Sequence, residues 1–177
     1  MKKQTGFSFI ELVMTLFLAA ILTVIAVPSM RYMLMNNRIT TKTNQFVSAI
    51  NYARSLSVAN PTETVIIAAH TNKKWGDGWI IWVDDDKITD LESVPTTKKV
   101  EFDDNSITID VSNSIKQIKY KRGFLDPATS RSVIQLDICL KDWGTGDPLG
   151  RQLQISPVGR ASVTCTSYSC QTKKCQM

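Results

Sequence analysis

Hydrophobic residues are spread unevenly along this chain. From Phe7 to Pro28 nearly every position is apolar, and those 22 residues carry one charge, Glu11. As a helix rising about 1.5 Å per residue, the segment spans roughly 33 Å, enough for a bilayer core of about 30 Å. From Ser29 to Asn60 the pattern changes. Apolar residues recur at Met30, Met33, Leu34, Ile39, Phe46, Ile50, Ala53 and Leu56, mostly in steps of three, four or seven. This spacing predicts one stripe of an amphipathic helix that packs on a core. Arg38, Lys42, Asn44, Ser48 and Asn51 fall on the opposite face, and Asn60-Pro61 ends the pattern.

After Pro61 the rhythm shortens. Glu63–Ala69, Trp79–Val83, Lys98–Phe102, Ser106–Val111, Ile115–Tyr120, Val133–Leu140, Gln152–Ile155 and Ala161–Cys165 are rich in β-branched and aromatic residues. Gly, Asn, Asp and Pro separate them, so they read as short antiparallel strands. One long helix followed by strands is an α+β layout. Residues 29–177, at 149, are enough for one domain with a sizeable core. No repeat or low-complexity linker divides them. The expected division is a leader at 1–6, a transmembrane helix at 7–28 and a globular part at 29–177. Within the last, 29–60 is helix and 61–177 is β-rich. Trp79 and Trp82 have opposite parity on one strand, which sends one of them outward.

Glu11 is the anomaly of the apolar run. A charge at the centre of a membrane helix costs about 2.5–3.5 kcal/mol on insertion scales, less near an end. A carboxylate there calls for a cationic partner. Lys2 and Lys3 precede the run and orient the N-terminus to the cytoplasm. A cleaved secretory signal fits poorly, because Ala26-Val27-Pro28 is no small-residue cleavage site. A plain anchor explains the hydrophobicity but not the string Gly6-Phe7-Ser8-Phe9-Ile10-Glu11-Leu12.

That string resembles the leader of type IV pilins and type II secretion pseudopilins. The resemblance implies cleavage after Gly6 by a prepilin peptidase and methylation of the new N-terminal Phe7. It implies that Glu11 pairs with the N-terminal amine of a neighbouring subunit during filament assembly. It also implies that Pro28 bends the helix. A second resemblance covers nearly the whole chain. Phe46-x-x-Ala49-x-x-x-Ala53-Arg54-Ser55-x-Ser57-Val58-Ala59, then Gly76-x-Gly78-Trp79-Ile80-Ile81-Trp82-Val83-Asp84, then Gly159-Arg160 look like the GspH/FimT family of minor pseudopilins and minor pilins. Ser57 stands where that family often has a small Ala. The implied fold is pilin-like: a long N-terminal helix, transmembrane then amphipathic, on an antiparallel β-sheet domain.

Four cysteines, Cys139, Cys165, Cys170 and Cys175, lie in the last 39 residues. An anchored domain outside the cytoplasm meets oxidising conditions, so disulfides are expected. Four cysteines allow three pairings. Cys139 with Cys165 is favoured, because both end strand-like runs, which leaves Cys170 with Cys175 to close a tail loop. The x4 spacings are poor for a zinc knuckle, and no metal or other cofactor is expected. Asp84-Asp85-Asp86, with Asp90 and Glu92, lacks the alternation and central Gly of a calcium loop and reads as a solvated turn. The single histidine, His70, has no acid beside it, and no phosphate loop or H-E-x-x-H is present. Catalysis is not expected.

Charge adds one more possibility. The chain is +5 overall, and residues 29–150 balance 15 basic against 15 acidic residues. Residues 151–177 carry Arg151, Arg160, Lys173 and Lys174 with no acid. A second basic run is Lys116, Lys119, Lys121 and Arg122. Phosphate neutralisation by such groups drives non-specific DNA binding. Some members of the family resemble DNA receptors with a Gly-Arg-x-Arg string; here Ser162 replaces the second Arg. Arg151 or the Lys173-Lys174 tail would substitute if disulfides bring them close. The alternative is a solvated strand face and tail.

The expected function is that of a minor pilin of a type IV pilus. It sits in the inner membrane with its domain in the periplasm, then enters an extracellular filament by its N-terminal helix, in a priming or tip position. Its partners would be other pilin subunits, the prepilin peptidase and the membrane. DNA uptake, with double-stranded DNA as a partner, and a type II secretion pseudopilin are the alternatives.

Overall fold

The computed structural model describes residues 8–69, 74–84, 98–102, 107–112, 115–140, 149–169 and 174–175. The chain divides into two units, Met1–Arg38 and Ile39–Met177. One helix, α1 (Phe9–Ala59), contributes to both and continues through Pro28. Proline removes one backbone donor there, and its ring crowds the carbonyl four residues before it.

In the first unit every described residue from Ser8 to Leu34 is exposed. The buried stripe starts only at Ile39. It runs Ile39, Thr43, Phe46, Ala49, Ile50, Ala53 and Ser57, with Leu56 half-buried. Met30, Met33 and Leu34, expected in the stripe, are therefore not part of it; they are 51–65% exposed. Their spacing extends the periodicity, but periodicity says nothing about where a partner surface begins.

The second unit adds two five-stranded antiparallel sheets. The first contains β1 (Thr64–Ala69), β2 (Gly78–Asp84), β3 (Lys98–Glu101), β5 (Gln117–Lys121) and β6 (Phe124–Leu125), in the order β3-β2-β1-β5-β6. The second contains β4 (Ile107–Val111), β7 (Ile134–Leu140), β8 (Leu149–Ile155), β9 (Ala161–Ser169) and β10 (Lys174–Cys175), in the order β10-β9-β8-β7-β4. Each strand expected from sequence is present, with bounds shifted by a few residues. The two-residue strands β6 and β10 and a short 3-10 turn at Trp75–Asp77 were not expected.

The helix meets the first sheet through aromatic packing. Phe46 stands edge-on to Trp75 and Trp79, with ring centroids 5.8 Å and 4.9 Å apart, and Trp79 stands edge-on to Phe102 at 5.1 Å. These geometries suit the ring quadrupoles. The Lys42 ammonium sits 3.3 Å above the Phe102 ring. Trp82 does not face solvent. It is 3% exposed and packs with Ile66, Ala68 and Ile80 on the other face of the sheet, so both tryptophan parities are buried. Uninterrupted apolar runs such as Val65–Ala68 signal a strand covered on both faces. Gly78 opens β2 with φ of 131°, and a Cβ there would lie 2.2 Å from the Val100 carbonyl oxygen of the neighbouring strand. Only glycine allows that pairing of β2 and β3 to start there.

Candidate assembly helix and the Gly123–Gly159 corner

Two places carry the residues singled out by sequence. The first is the start of α1. Its most apolar 18-residue window has a mean hydropathy of 2.6 and buries nothing within the chain. Leu16, Phe17, Leu22, Val24 and Ile25 are each more than 60% exposed. Contiguous apolar surface of that extent marks a membrane or protein interaction site. The two hydroxyls in this stretch are satisfied locally: Thr15 Oγ1 donates to the Leu12 carbonyl at 2.8 Å and Thr23 Oγ1 to the Ala19 carbonyl at 2.7 Å. Polar groups that bond within their own helix can enter hydrocarbon at little cost. Glu11 is exposed in the first turn, where the positive end of the helix dipole favours a carboxylate by about 0.3–1 kcal/mol. Gly6 and Phe7 lie outside the described residues.

The second place is a corner where three chain segments meet. Lys121 pairs with Phe124 across a two-residue loop, Arg122-Gly123. Both loop residues have positive φ, 54° and 81°, the mark of a type I′ hairpin. The end of α1 grips this loop. Arg54 Nε donates to the Gly123 carbonyl at 2.9 Å, and the Gly123 N–H donates to Ser57 Oγ at 3.0 Å. Ser57 Oγ in turn donates to the Arg54 carbonyl at 2.7 Å. This gives Arg54 and Ser57 of the Arg-Ser-x-Ser string their roles and accounts for Ser57 in place of Ala, since a buried N–H requires its hydroxyl; Ser55 Oγ only donates back to the Tyr52 carbonyl. The third segment is the β8–β9 turn. The Leu125 N–H donates to the Pro157 carbonyl, and Gly159, with φ of 77°, lies against the same loop. A Cβ at Gly159 would stand 2.9 Å from both the Gly123 carbonyl oxygen and the Tyr120 ring. Burial pushes the Tyr120 phenol well above its ordinary value, with Arg54 pulling weakly the other way, so Tyr120 is a neutral core group here.

The structure regroups the basic residues. Arg122 and Arg160 each adjoin a glycine of the Gly123–Gly159 contact and are exposed, as is Lys121. Lys116 is exposed just before β5, and Lys119, on β5, is half-buried. Arg151 does not join Arg160. It sits opposite Ile138 on β8, shares the core parity of Leu153 and Ile155, and its Nη2 donates to Thr40 Oγ1 of α1 at 3.2 Å. Lys174 belongs to β10, opposite Ser169, nine positions along from Arg160. At about 3.3 Å per residue that is roughly 30 Å. Lys173 lies outside the described residues, as do His70, Asp85, Asp86, Asp90, Glu92 and Cys170.

The strand order also corrects the favoured cysteine pairing. Cys139 is on β7 opposite Gly150, and Cys165 is on β9 opposite Gln152. The central strand β8 separates them, and two strand spacings are about 9.5 Å. A disulfide needs Cα atoms within about 7 Å, so a direct Cys139–Cys165 bridge does not fit. The run between them in sequence, Gln152–Ile155, is also the strand between them in the sheet.

Comparison with known proteins accords with this architecture. The family model described as type II transport protein GspH matches residues 42–159, and the prokaryotic N-terminal methylation motif matches residues 1–27. No curated protein matches the chain. Two crystal structures of the type IV minor pilin FimU from Pseudomonas aeruginosa (strain PAO1) share the fold, both at 23% identity. In space group P21 the TM-score is 0.56, covering 76% of this chain and 94% of that one. In space group P65 it is 0.54, covering 75% and 97%. A helix that buries nothing for its first 26 described residues thus leads into a two-sheet domain matched by a single family model, and the chain belongs to the GspH family of pilin-like proteins.

Proposed function

We propose that this protein is a minor pilin of a type IV pilus. The observation that carries the reading is the pairing of a wholly exposed apolar helix start, with Glu11 in its first turn, with a GspH-type domain. In this reading a prepilin peptidase cuts after Gly6 and methylates Phe7. The helix holds the protein in the inner membrane, with the domain in the periplasm, until it enters the filament. Glu11 then pairs with the N-terminal amine of a neighbouring subunit, and the domain contributes priming or tip contacts. A paired carboxylate removes most of the cost of burying Glu11 among helices. The main test is Gly6→Val. An uncleaved precursor in membranes is expected; normal processing would overturn the leader assignment. Glu11→Val should insert in the membrane but fail to enter filaments.

Cys139 and Cys165 are not free thiols. With a direct bridge ruled out by strand order, we infer that Cys170 and Cys175 are their partners, tying the C-terminal tail to the second sheet. Mass mapping of a non-reduced digest should find peptides that link each strand cysteine to a tail cysteine.

DNA capture is the second reading. Its support is the approach of Gly159 to the Gly123 carbonyl, which sets the exposed residues Arg122 and Arg160 on adjoining turns. Binding of duplex DNA by the full chain in detergent, weakened by salt and by Arg160→Ala, is the expected result. No binding at low salt would remove this reading. A type II secretion pseudopilin is the remaining alternative, and loss of secretion rather than of pili in a deletion strain would select it.

A further inference from the structure

Five consecutive residues of α1 have no role in the core. Met30, Arg31, Tyr32, Met33 and Leu34 follow the apolar run and precede Ile39, where burial begins, and all five are exposed, Tyr32 by 52%. Three are aliphatic, one is aromatic and one is a cation. The boundary between hydrocarbon and water selects that mixture: aromatic rings settle at headgroup level, and long cationic side chains keep their heads in the polar layer.

Their place along the helix agrees. Because α1 is unbroken from Phe9 to Ala59, axial positions follow from the rise per residue. From Glu11 to Arg31 the chain advances twenty residues. That is about 30 Å, the thickness of the hydrocarbon core. No charged residue lies between the two. When Glu11 stands at one boundary, Arg31 stands at the other, with the four neighbours within about 5 Å of it along the axis.

Charge points the same way. From Leu12 to Thr62 the chain holds no carboxylate, while Arg31 and Arg38 follow the apolar run. Neither arginine forms an ion pair among the described residues. At the boundary the nearest counter-charge is a lipid phosphate.

We propose that Met30–Leu34 is a headgroup site for anionic phospholipid at the outer boundary of the membrane. The Arg31 guanidinium takes the phosphate, for which its planar fork is suited. Tyr32 lies at headgroup level, and Met30, Met33 and Leu34 meet the upper acyl chains. An anionic lipid is preferred because a zwitterionic headgroup already neutralises its own phosphate. The inference rests on the reading of α1 as a membrane helix and goes beyond it, because it sets the depth and the lipid preference of the anchor.

The test is native mass spectrometry of the full chain, released from detergent micelles that hold equal phosphatidylglycerol and phosphatidylcholine, at physiological ionic strength. The wild-type chain should retain about fivefold more phosphatidylglycerol, the effect of one arginine at a membrane surface. Arg31→Gln should abolish that preference, with the melting temperature of the domain unchanged. Arg38→Gln makes the same charge change on the same helix face, about 10.5 Å farther out and one Debye length away, and should lower the preference about twofold at most. Equal retention of the two lipids by the wild-type chain would overturn the proposal. So would a preference that survives Arg31→Gln, which would leave that arginine to a carboxylate of a neighbouring subunit. Equal losses in Arg31→Gln and Arg38→Gln would overturn it as well, since depth would then decide nothing. Retention in carbonate-washed membranes is scored alongside. A chain that washes out overturns the membrane reading and this site together; a chain that stays without lipid preference overturns the site alone.

Discussion

The two stretches of α1 obey different physics although no break divides the helix. From Ser8 to Leu34 every side chain is exposed, including Phe9, Phe17 and Leu22. From Ile39 onward the steps of four and three through Thr43, Phe46, Ile50, Ala53 and Ser57 are buried. The first stretch is nearly uniform in hydrophobicity, so it has no preferred face and suits lipid or a ring of other helices. The second is mixed, and its stripe admits polar atoms only where a bond awaits them. Thr43 Oγ1 donates to the Ile39 carbonyl, and Ser57 holds the Gly123 N–H. Hydrophobicity alone therefore does not mark the folded core of this protein; the more apolar half buries less.

Mutations sharpen this contrast, and the largest effect belongs to the less apolar half. Phe46→Ala removes the ring that meets Trp75 and Trp79 and should cost about 3–5 kcal/mol in denaturant unfolding of the detergent-solubilised protein. Next comes Gly159→Val. It combines a left-handed φ with a clash against the Gly123 carbonyl and should cost about 1–3 kcal/mol or more, read as a lowered melting temperature. Gly159→Ala should be milder in direction and still destabilising. Ser57→Ala leaves a buried N–H without its acceptor and should cost about 1–3 kcal/mol, while Ser57→Thr should retain part of the bond. Leu22→Ala should leave domain unfolding unchanged, because Leu22 is 66% exposed and touches no core. A clear loss of domain stability in Leu22→Ala would break the comparison.

The legible part of the fold was the local part. The apolar run, the Glu11 string, the helix stripe from Ile39 and the major strands all follow from residue order, because helix and strand periods are written in neighbouring residues. The misreadings share one cause. Met30, Met33 and Leu34 continue a helical rhythm beyond the surface it packs on. A parity rule that assumes one solvent face sends one of Trp79 and Trp82 outward, yet both are buried. Cys139 and Cys165 lie in runs that read as sheet neighbours, but β8 intervenes. Arg151 sits in a basic tail by sequence and under the helix by register. Each depends on which elements become neighbours. The two-residue strands β6 and β10 are too short to produce a pattern, though Arg122-Gly123 between Lys121 and Phe124 is an X-Gly turn signal that marks the first hairpin.

By itself the sequence determined the membrane-length helix, its single carboxylate, the α+β order and the family, since composition and short-range periodicity are enough to specify them. The tertiary structure alone decided which helix face is buried and that both faces of the first sheet are covered. It also brought Arg54, Ser57, Gly123 and Gly159 into one corner from positions as much as 105 residues apart. Contacts at that separation are selected by sheet order and close packing, and neither is encoded in any local run of residues.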